Sequence, residues 1–597
     1  MSLDKDLQSI QEARQLVEKA AEAATVLARF SQSQIDEVVR ACAEAAERDA
    51  GPLARLAVEE TTYGNVPDKV EKNLFASRDV YAGIKDMKTV GVVREDAEAG
   101  VVEIAVPAGV VAAIIPTTNP TSTAIYKALI ALKGRNAIVM SPHPNAVRCI
   151  RESCRVMLEA ALQAGAPEGS IGCLSLPTME ATEELMKHRR TAIILATGGA
   201  GLVKAAYSSG KPALGVGPGN VPAYIHSSAN VPKAVADILT GKCFDNGTIC
   251  SSEQHMVVDS AIADAVRFET QRQGGFFLSA EQAAAVARVL ILPNFRVNGK
   301  MVGQTAERIA QEAGVAVPAN VRALVAPLEG VGRDHPLSAE KLSPVLSFHV
   351  VKDWREGLDF CRRLLEFGGM GHTMAIHAAD DEVIRELALV LPAFRLVVNT
   401  PAPHGSIGHS TRLFPAMSLG CGTPGGNITS DNISPMNLLN IKRLAYERRP
   451  VNKAGDSGQV SGDRGQVAGN SRAGLRAANP ETRNPNPEPR TPASDPRPAA
   501  IDRAEVSRIV ERFLASRGKP PSPEPRSPNF GPSEQGAASS APTNSEPRVP
   551  SPVDFVSEED VRAAVQKGEK IYVGPRTIIT PSARDLGEPG EVFVVSK

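Results

Sequence analysis

The chain is 597 residues long, 42% hydrophobic and 22% charged, with a formal net charge of -1. That length suits two to four domains around a large core, and the near-neutral balance excludes a global field that would recruit nucleic acid or an anionic membrane. No apolar run is long enough to span a bilayer, and the eight scattered cysteines form no CxxC pair, which argues against a disulfide framework or zinc site and for a reducing compartment.

The N-terminal stretch MSLDKDLQSIQEARQLVEKAAEAA is charged and reads as an amphipathic helix, not a signal peptide. From there to about residue 448, β-branched runs alternate with helical periodicity. The predicted strands are 110–115 (VVAAII), 137–140 (AIVM), 192–195 (AIIL), 223–225 and 256–258, with helices such as 122–133 and 146–164 between them. Continuous apolar strands separated by helices indicate parallel sheets covered on both faces, so this region is α/β and its size suggests two lobes.

Three segments carry candidate chemistry. In IIPTTNPTS a buried strand ends at Pro116 and a small polar loop presents Asn119 before a helix. An Asn amide can donate to an oxyanion developing on an attacked carbonyl, or it can simply form an Asn-Pro turn or helix cap. In AIILATGGAGLVKAAYSSGK a strand runs into Thr197, Gly198 and Gly199 and then a helix, which leaves N–H groups free to seat a pyrophosphate, although glycine-rich turns of this kind are common. The loop GVGPGN, containing Gly217, follows closely. In FDNGTICSSEQHMVV, Cys250 sits between a Gly-bearing loop and an apolar strand. Such a cysteine is either an activated nucleophile near backbone donors or a buried structural thiol. His143, His372 and His404 do not share ligand spacing within one helix, so they are read as pocket-lining or structural and no metal is expected.

Together and in this order, these segments resemble the aldehyde dehydrogenase superfamily over roughly residues 5–448, and more narrowly its CoA-acylating branch. Matching stretches include TTNPTSTAIYKALIALKGRNAIVMSPHP, TGGAGLVKAAYSSGKPALGVGPGNVP, FDNGTICSSEQ, EKLSPVLSF, GGMGHTMAIH and GNITSDNISPMNLLNIKRLAYE. The resemblance implies a two-lobed fold with Rossmann-like parallel sheets: a cofactor-binding domain at 1–235, completed by an oligomerisation segment at 426–448, and a catalytic cysteine domain at 236–425. It implies NAD and coenzyme A as co-substrates, with Cys250 as nucleophile and Asn119 as oxyanion-hole amide. Glu340 matches the glutamate on the nicotinamide ribose, and Gly198 with Gly199 the pyrophosphate turn. Thr117, Thr118, Ser141, Pro142, His143, Thr197 and Gly217 complete the expected cofactor contacts. A homo-oligomer, dimer or tetramer, is also implied, with 427–446 pairing across subunits.

Two departures from hydrolytic relatives matter. The stretch that carries their glutamate base corresponds to GVGPGN, which has no carboxylate, so a thioester on Cys250 should wait for a thiol instead of water. At SPHP, Ser141 stands where those relatives place a lysine for the adenosine ribose. The expected reaction is oxidation of a short aldehyde (acetaldehyde, propionaldehyde or lactaldehyde) to acyl-CoA. The alternatives are a hydrolytic dehydrogenase giving free acid and a non-catalytic scaffold.

Beyond residue 448 the sequence is dominated by Pro, Gly, Ser, Asn and Arg and is expected to be a disordered tether at 449–500 and 520–552. Between them, 501–519 is predicted as an amphipathic helix with Val506, Ile509, Val510, Phe513 and Leu514 on one stripe. Resemblance to microcompartment enzymes implies that 501–517 docks onto shell or core proteins, in the lumen of a bacterial microcompartment in the cytoplasm. Self-association or folding back onto the catalytic domain are the other readings of this helix. The end, 553–597, is expected to be a small α/β module or docking tail.

Overall fold

The computed structural model describes residues 4–449 and 451, and near the C-terminus 553–556, 558–567, 569–579, 583 and 592–595. The helix predicted at 501–519 and the linker at 520–552 lie outside the described residues, as does nearly all of the linker at 449–500. The chain divides into two compact units, Met1–Gly462 and Asp463–Lys597. No helix among the described residues is long and apolar enough to cross a membrane.

In the first unit, helices Lys5–Leu27 and Gln32–Arg48 bury one alanine- and valine-rich stripe each. The second packs beside helices Pro120–Lys133 and Val147–Gln163 and the first beside Met179–Lys187, around a five-stranded sheet. The strands lie in the order Ile171–Cys173, Ala137–Pro142, Val110–Ile115, Thr191–Thr197, Ala213–Val216, and every pairing is parallel. All six residues of Val110–Ile115 are buried, as the uninterrupted apolar run predicts for a strand covered on both faces. Chain order reverses between Val110–Ile115 and Thr191–Thr197. A crevice therefore opens at their carboxyl ends, where an open α/β sheet takes its ligand.

A second parallel sheet has seven strands in the order Gly275–Phe277, Ala323–Pro327, Val345–Val351, Glu253–Asp259, Val221–Ile225, Gly371–His377, Ala393–Val398. Val221–Ile225, placed with the cofactor lobe by the expected boundary at 235, pairs with Glu253–Asp259 and Gly371–His377 instead. The division between sheets falls before Val221, because a fully buried strand pairs with whichever sheet supplies backbone partners on both edges. The chain later returns to the first lobe. The Tyr126 hydroxyl donates to the Ile433 carbonyl, and Leu439–Ala445 joins Val101–Pro107 and Gly91–Asp96 in a three-stranded antiparallel sheet.

The second unit contains parallel strands Val553–Val556, Ile571–Ile579 and Phe593–Val595 and the helix Glu558–Lys567. Val556, Val561, Val573 and Ala583 form its buried cluster.

Gly371 opens its strand at φ +75°, and a methyl group there would overlap the backbone oxygen of Cys421. Gly371→Ala is expected to lower unfolding free energy by about 2 kcal/mol or more. The urea midpoint measures this, and an unchanged midpoint would contradict the close seating of the 420–426 loop on this strand.

Candidate active site

Cys250 follows a backbone that only a strong set of partners can hold. Asp245 (φ 48°), Asn246 (φ 52°) and Gly247 (φ 74°) are left-handed in succession, which is costly for the two residues with side chains. Asp245 is fully buried. Its carboxylate accepts from Lys69 Nζ at 2.9 Å, Lys72 Nζ at 2.5 Å, the Thr248 hydroxyl at 2.7 Å and the Asn65 N–H at 2.9 Å. Burial opposes its charge, but Lys72 and Lys69 outweigh that and leave the carboxyl below its ordinary range. Asn246 Nδ2 donates to the Gly303 carbonyl at 2.9 Å, and a side chain at Gly247 would crowd the Ser343 backbone at 3.0 Å.

Asn119 caps the helix Pro120–Lys133 by position, without a side-chain capping bond. Its Nδ2 donates to the Thr248 carbonyl at 3.3 Å and the Thr118 hydroxyl at 3.2 Å, while its Oδ1 accepts from Lys72 Nζ at 2.6 Å. The Asn119 amide therefore faces the loop two residues ahead of Cys250. Cys250 itself is half-buried. Burial pushes its thiol up to about 12, with Glu340 and Cys421 adding to the effect, while Arg395 and the Cys250 N–H act in the opposite direction.

The carboxylate-free loop lies directly behind the cysteine. Any side chain at Gly219 would overlap the Cys250 carbonyl oxygen, and the Gly219 N–H donates to Glu340 Oε1 at 3.2 Å. Glu340, the expected ribose partner, is thus tied to this loop, and burial raises its carboxyl to about 8. Burial pushes the Cys421 thiol up, while Arg395 and the Gly217 N–H act in the opposite direction.

The remaining predicted cofactor residues gather at the carboxyl ends of the five-stranded sheet. Thr117 is buried and Thr118 half-buried after Val110–Ile115, and the Thr118 carbonyl accepts from Lys69 Nζ at 3.2 Å. Across the switch point, the Thr197 hydroxyl is buried without a hydrogen-bond partner, and Gly199 heads the helix Ala200–Tyr207 with open space around it. An orphaned hydroxyl beside an uncovered helix start fits a dinucleotide phosphate. Ser141 and Pro142 end the neighbouring strand, but the Ser141 hydroxyl is buried and paired with Thr182 at 2.8 Å. His143 is exposed and its Nδ1 accepts the Asn145 N–H at 3.1 Å.

Sequence reasoning passed over several groups. Lys69 and Lys72, in the helix Val66–Leu74, look like an ordinary solvated face, yet they are 2% and 3% exposed. Only the spacing of two lysines three residues apart hinted at a shared partner. His372, read as pocket-lining or structural, is fully buried beside Gly219, its Nδ1 pairs with the Thr373 hydroxyl and its Nε2 has no partner. Burial pulls His372 down to about 3 and His404 to about 4, so both rings are neutral. Arg395 donates to the carbonyls of His372 at 2.8 Å and Gly420 at 2.5 Å, tying the strand behind the cysteine to the loop that contains Gly420. No group of metal-ligating side chains occurs among the described residues.

A two-lobed α/β protein with a cysteine loop facing a dinucleotide crevice is a defined class, and comparison with known proteins agrees. The profile of the aldehyde dehydrogenase family matches residues 6–273. The bifunctional aldehyde-alcohol dehydrogenase AdhE of Escherichia coli K12 is 44% identical over 442 residues, covering 73% of this chain. The chain spans about half the length of that relative, 50%. An acetylating aldehyde dehydrogenase from Geobacillus thermoglucosidasius superposes with a TM-score of 0.75 at 54% identity, covering 76% of this chain and 100% of that one. A propionaldehyde dehydrogenase from the fucose-utilisation bacterial microcompartment of Clostridium phytofermentans superposes with a TM-score of 0.67 at 29% identity, covering 73% and 97%. The chain belongs to the aldehyde dehydrogenase family.

With its thiol near 12, Cys250 in the free protein is almost wholly protonated at neutral pH. Its alkylation by iodoacetamide, followed by mass spectrometry of the Cys250 peptide, is expected to rise about tenfold per pH unit from pH 7 to 10. A rate already at its plateau below pH 8 would contradict the neutral thiol.

Proposed function

We propose that this protein is an NAD-dependent, CoA-acylating aldehyde dehydrogenase that converts a short aliphatic aldehyde, such as acetaldehyde, propionaldehyde or lactaldehyde, into its acyl-CoA. The observation that carries this reading is the 215–220 loop, which lies against Cys250 and contains no carboxylate. Without a base at that position, water is not activated and the acyl-enzyme persists until a thiol arrives. The likeness to the acetylating Geobacillus enzyme supports it.

The chain's own groups take these parts. The Cys250 thiol loses its proton to solvent, helped by the Arg395 charge, and its sulfur bonds to the aldehyde carbon. Asn119 Nδ2 and the Cys250 N–H hold the oxyanion that forms. When bound, NAD⁺ supplies a hydride acceptor; Thr197, Gly198 and Gly199 would seat its pyrophosphate, Glu340 its nicotinamide ribose, and Thr117, Thr118, Ser141, Pro142, His143 and Gly217 the rest of the crevice. Loss of hydride from the adduct leaves a thioester on Cys250. The CoA thiol then attacks that carbonyl. The proton of that thiol passes to the departing Cys250 sulfur, which restores the neutral thiol.

The assembly part of the reading is that the enzyme is a homo-oligomer, dimer or tetramer, housed in a bacterial microcompartment. Leu439–Ala445 is the edge strand of its sheet, with Leu444 and nearby Tyr446 exposed, and an unpaired edge of this kind suits pairing with another subunit. The segment 501–517 is the docking element for shell or core proteins, and the likeness to a microcompartment enzyme supports that location.

NADH formation from propionaldehyde and NAD⁺, followed by absorbance, is expected to require CoA and to vanish in Cys250→Ala. Sustained turnover without CoA would replace this reading with the hydrolytic one. Deletion of residues 501–517 is expected to leave kcat within about twofold while abolishing co-purification with shells. Normal encapsulation of the truncated protein would refute the docking role.

A further inference from the structure

An asparagine amide is nearly symmetric in shape but opposite in polarity at its two ends. An oxyanion hole works only if the NH₂ end faces the reacting carbonyl; a flipped amide would present an oxygen and repel the developing charge. Lys72 settles which end faces where. Its Nζ has three partners: Asp245 Oδ2 at 2.5 Å, Asn119 Oδ1 at 2.6 Å and Thr248 Oγ1 at 2.9 Å. An ammonium has three N–H bonds and no lone pair, so all its donors are committed and only the oxygen of Asn119 can face it. The opposite end of the amide then points to the Thr248 carbonyl and the cysteine loop, 3.3 Å away. The ammonium is itself immobilised, because it is 3% exposed and Asp245, shared with Lys69 at 2.9 Å, supplies the countercharge.

We propose that Lys72 is a positioning residue for the dehydrogenase step: it presets and polarises the Asn119 amide as an oxyanion donor, and through Thr248 it locks that amide to the loop that carries Cys250. The proposal rests on the reading of Asn119 as an oxyanion donor. Withdrawal of electron density from Oδ1 by a cation makes the Nδ2 hydrogens better donors, so the effect falls on the transition state, where the oxyanion exists, and not on aldehyde binding.

The test is a double-mutant cycle in the full chain. Wild type, Asn119→Ala, Lys72→Met, Lys72→Gln and the two double mutants are compared for kcat and aldehyde KM in CoA-dependent NADH formation, with melting temperatures alongside. Asn119→Ala is expected to lower kcat on the order of 10²-fold. Lys72→Met is expected to lower kcat on the order of tenfold with KM held within about twofold, and to cost nothing further once Asn119 is gone. Lys72→Gln, a neutral side chain that still donates, is expected to recover part of the loss and carries the cycle if Lys72→Met does not fold. Equal fold-losses in both backgrounds, a loss confined to KM, or a wild-type kcat in the Lys72 variants would overturn this proposal and leave Asn119 in its role. A wild-type kcat for Asn119→Ala would sink the oxyanion reading itself, and this proposal with it.

Discussion

The site depends on one buried carboxylate. Asp245 and Asn246 occupy left-handed backbone that neither would adopt alone, and the Asp245 carboxylate is held by two lysines, a hydroxyl and a backbone N–H. Removing either charge type would leave the other buried and unpaired, a larger penalty than the intact pair carries. Because the cluster over-determines Asp245, the backbone that follows has one course, and the Asn119 amide meets it at Thr248, two residues ahead of Cys250. Strain is thus concentrated in the loop that must be exact, and the lysines that hold it come from a helix, Val66–Leu74, far away in sequence.

Topology does the rest of the positioning. The five-stranded sheet opens its crevice where strand order reverses, and the loops after Val110–Ile115 and Thr191–Thr197 both end there. The seven-stranded sheet brings Glu253–Asp259, just after the cysteine, beside Val221–Ile225 and Gly371–His377. That register sets Gly219 against Cys250 and His372 against Gly219. Gly219 has no substitute there, since even a methyl group would strike the Cys250 carbonyl. The same crowding leaves no room for a carboxylate at Gly219.

Strands were legible because a strand buried on both faces must be apolar throughout. The runs at 110–115, 137–140 and 192–195 reappear as strands, the last two lengthened by one or two residues at one or both ends. Cys250, Asn119 and the Thr197–Gly199 turn were legible because each combines a chemically capable group with a strand–loop–helix junction. The partner assigned to Val221–Ile225 was not, since apolar content says that a strand is buried but not which sheet buries it. Nor was the partner of the Ser141 hydroxyl legible, since it is Thr182, 41 residues away.

By itself, then, the sequence determined the α/β class, the succession of elements, the carboxylate-free loop and the candidate nucleophile with its amide. Each is written in local composition or in residues near one another along the chain. Only the tertiary structure decided that Lys69 and Lys72 are buried under the cysteine loop, that Asp245 is their shared partner, that Arg395 braces the strand behind the cysteine, and that His372 keeps an unpaired nitrogen there. The physical reason is that charge looks solvated in any local reading. Whether a lysine faces water or a carboxylate is settled by what folds over it, and here the partner lies more than 170 residues further along the chain.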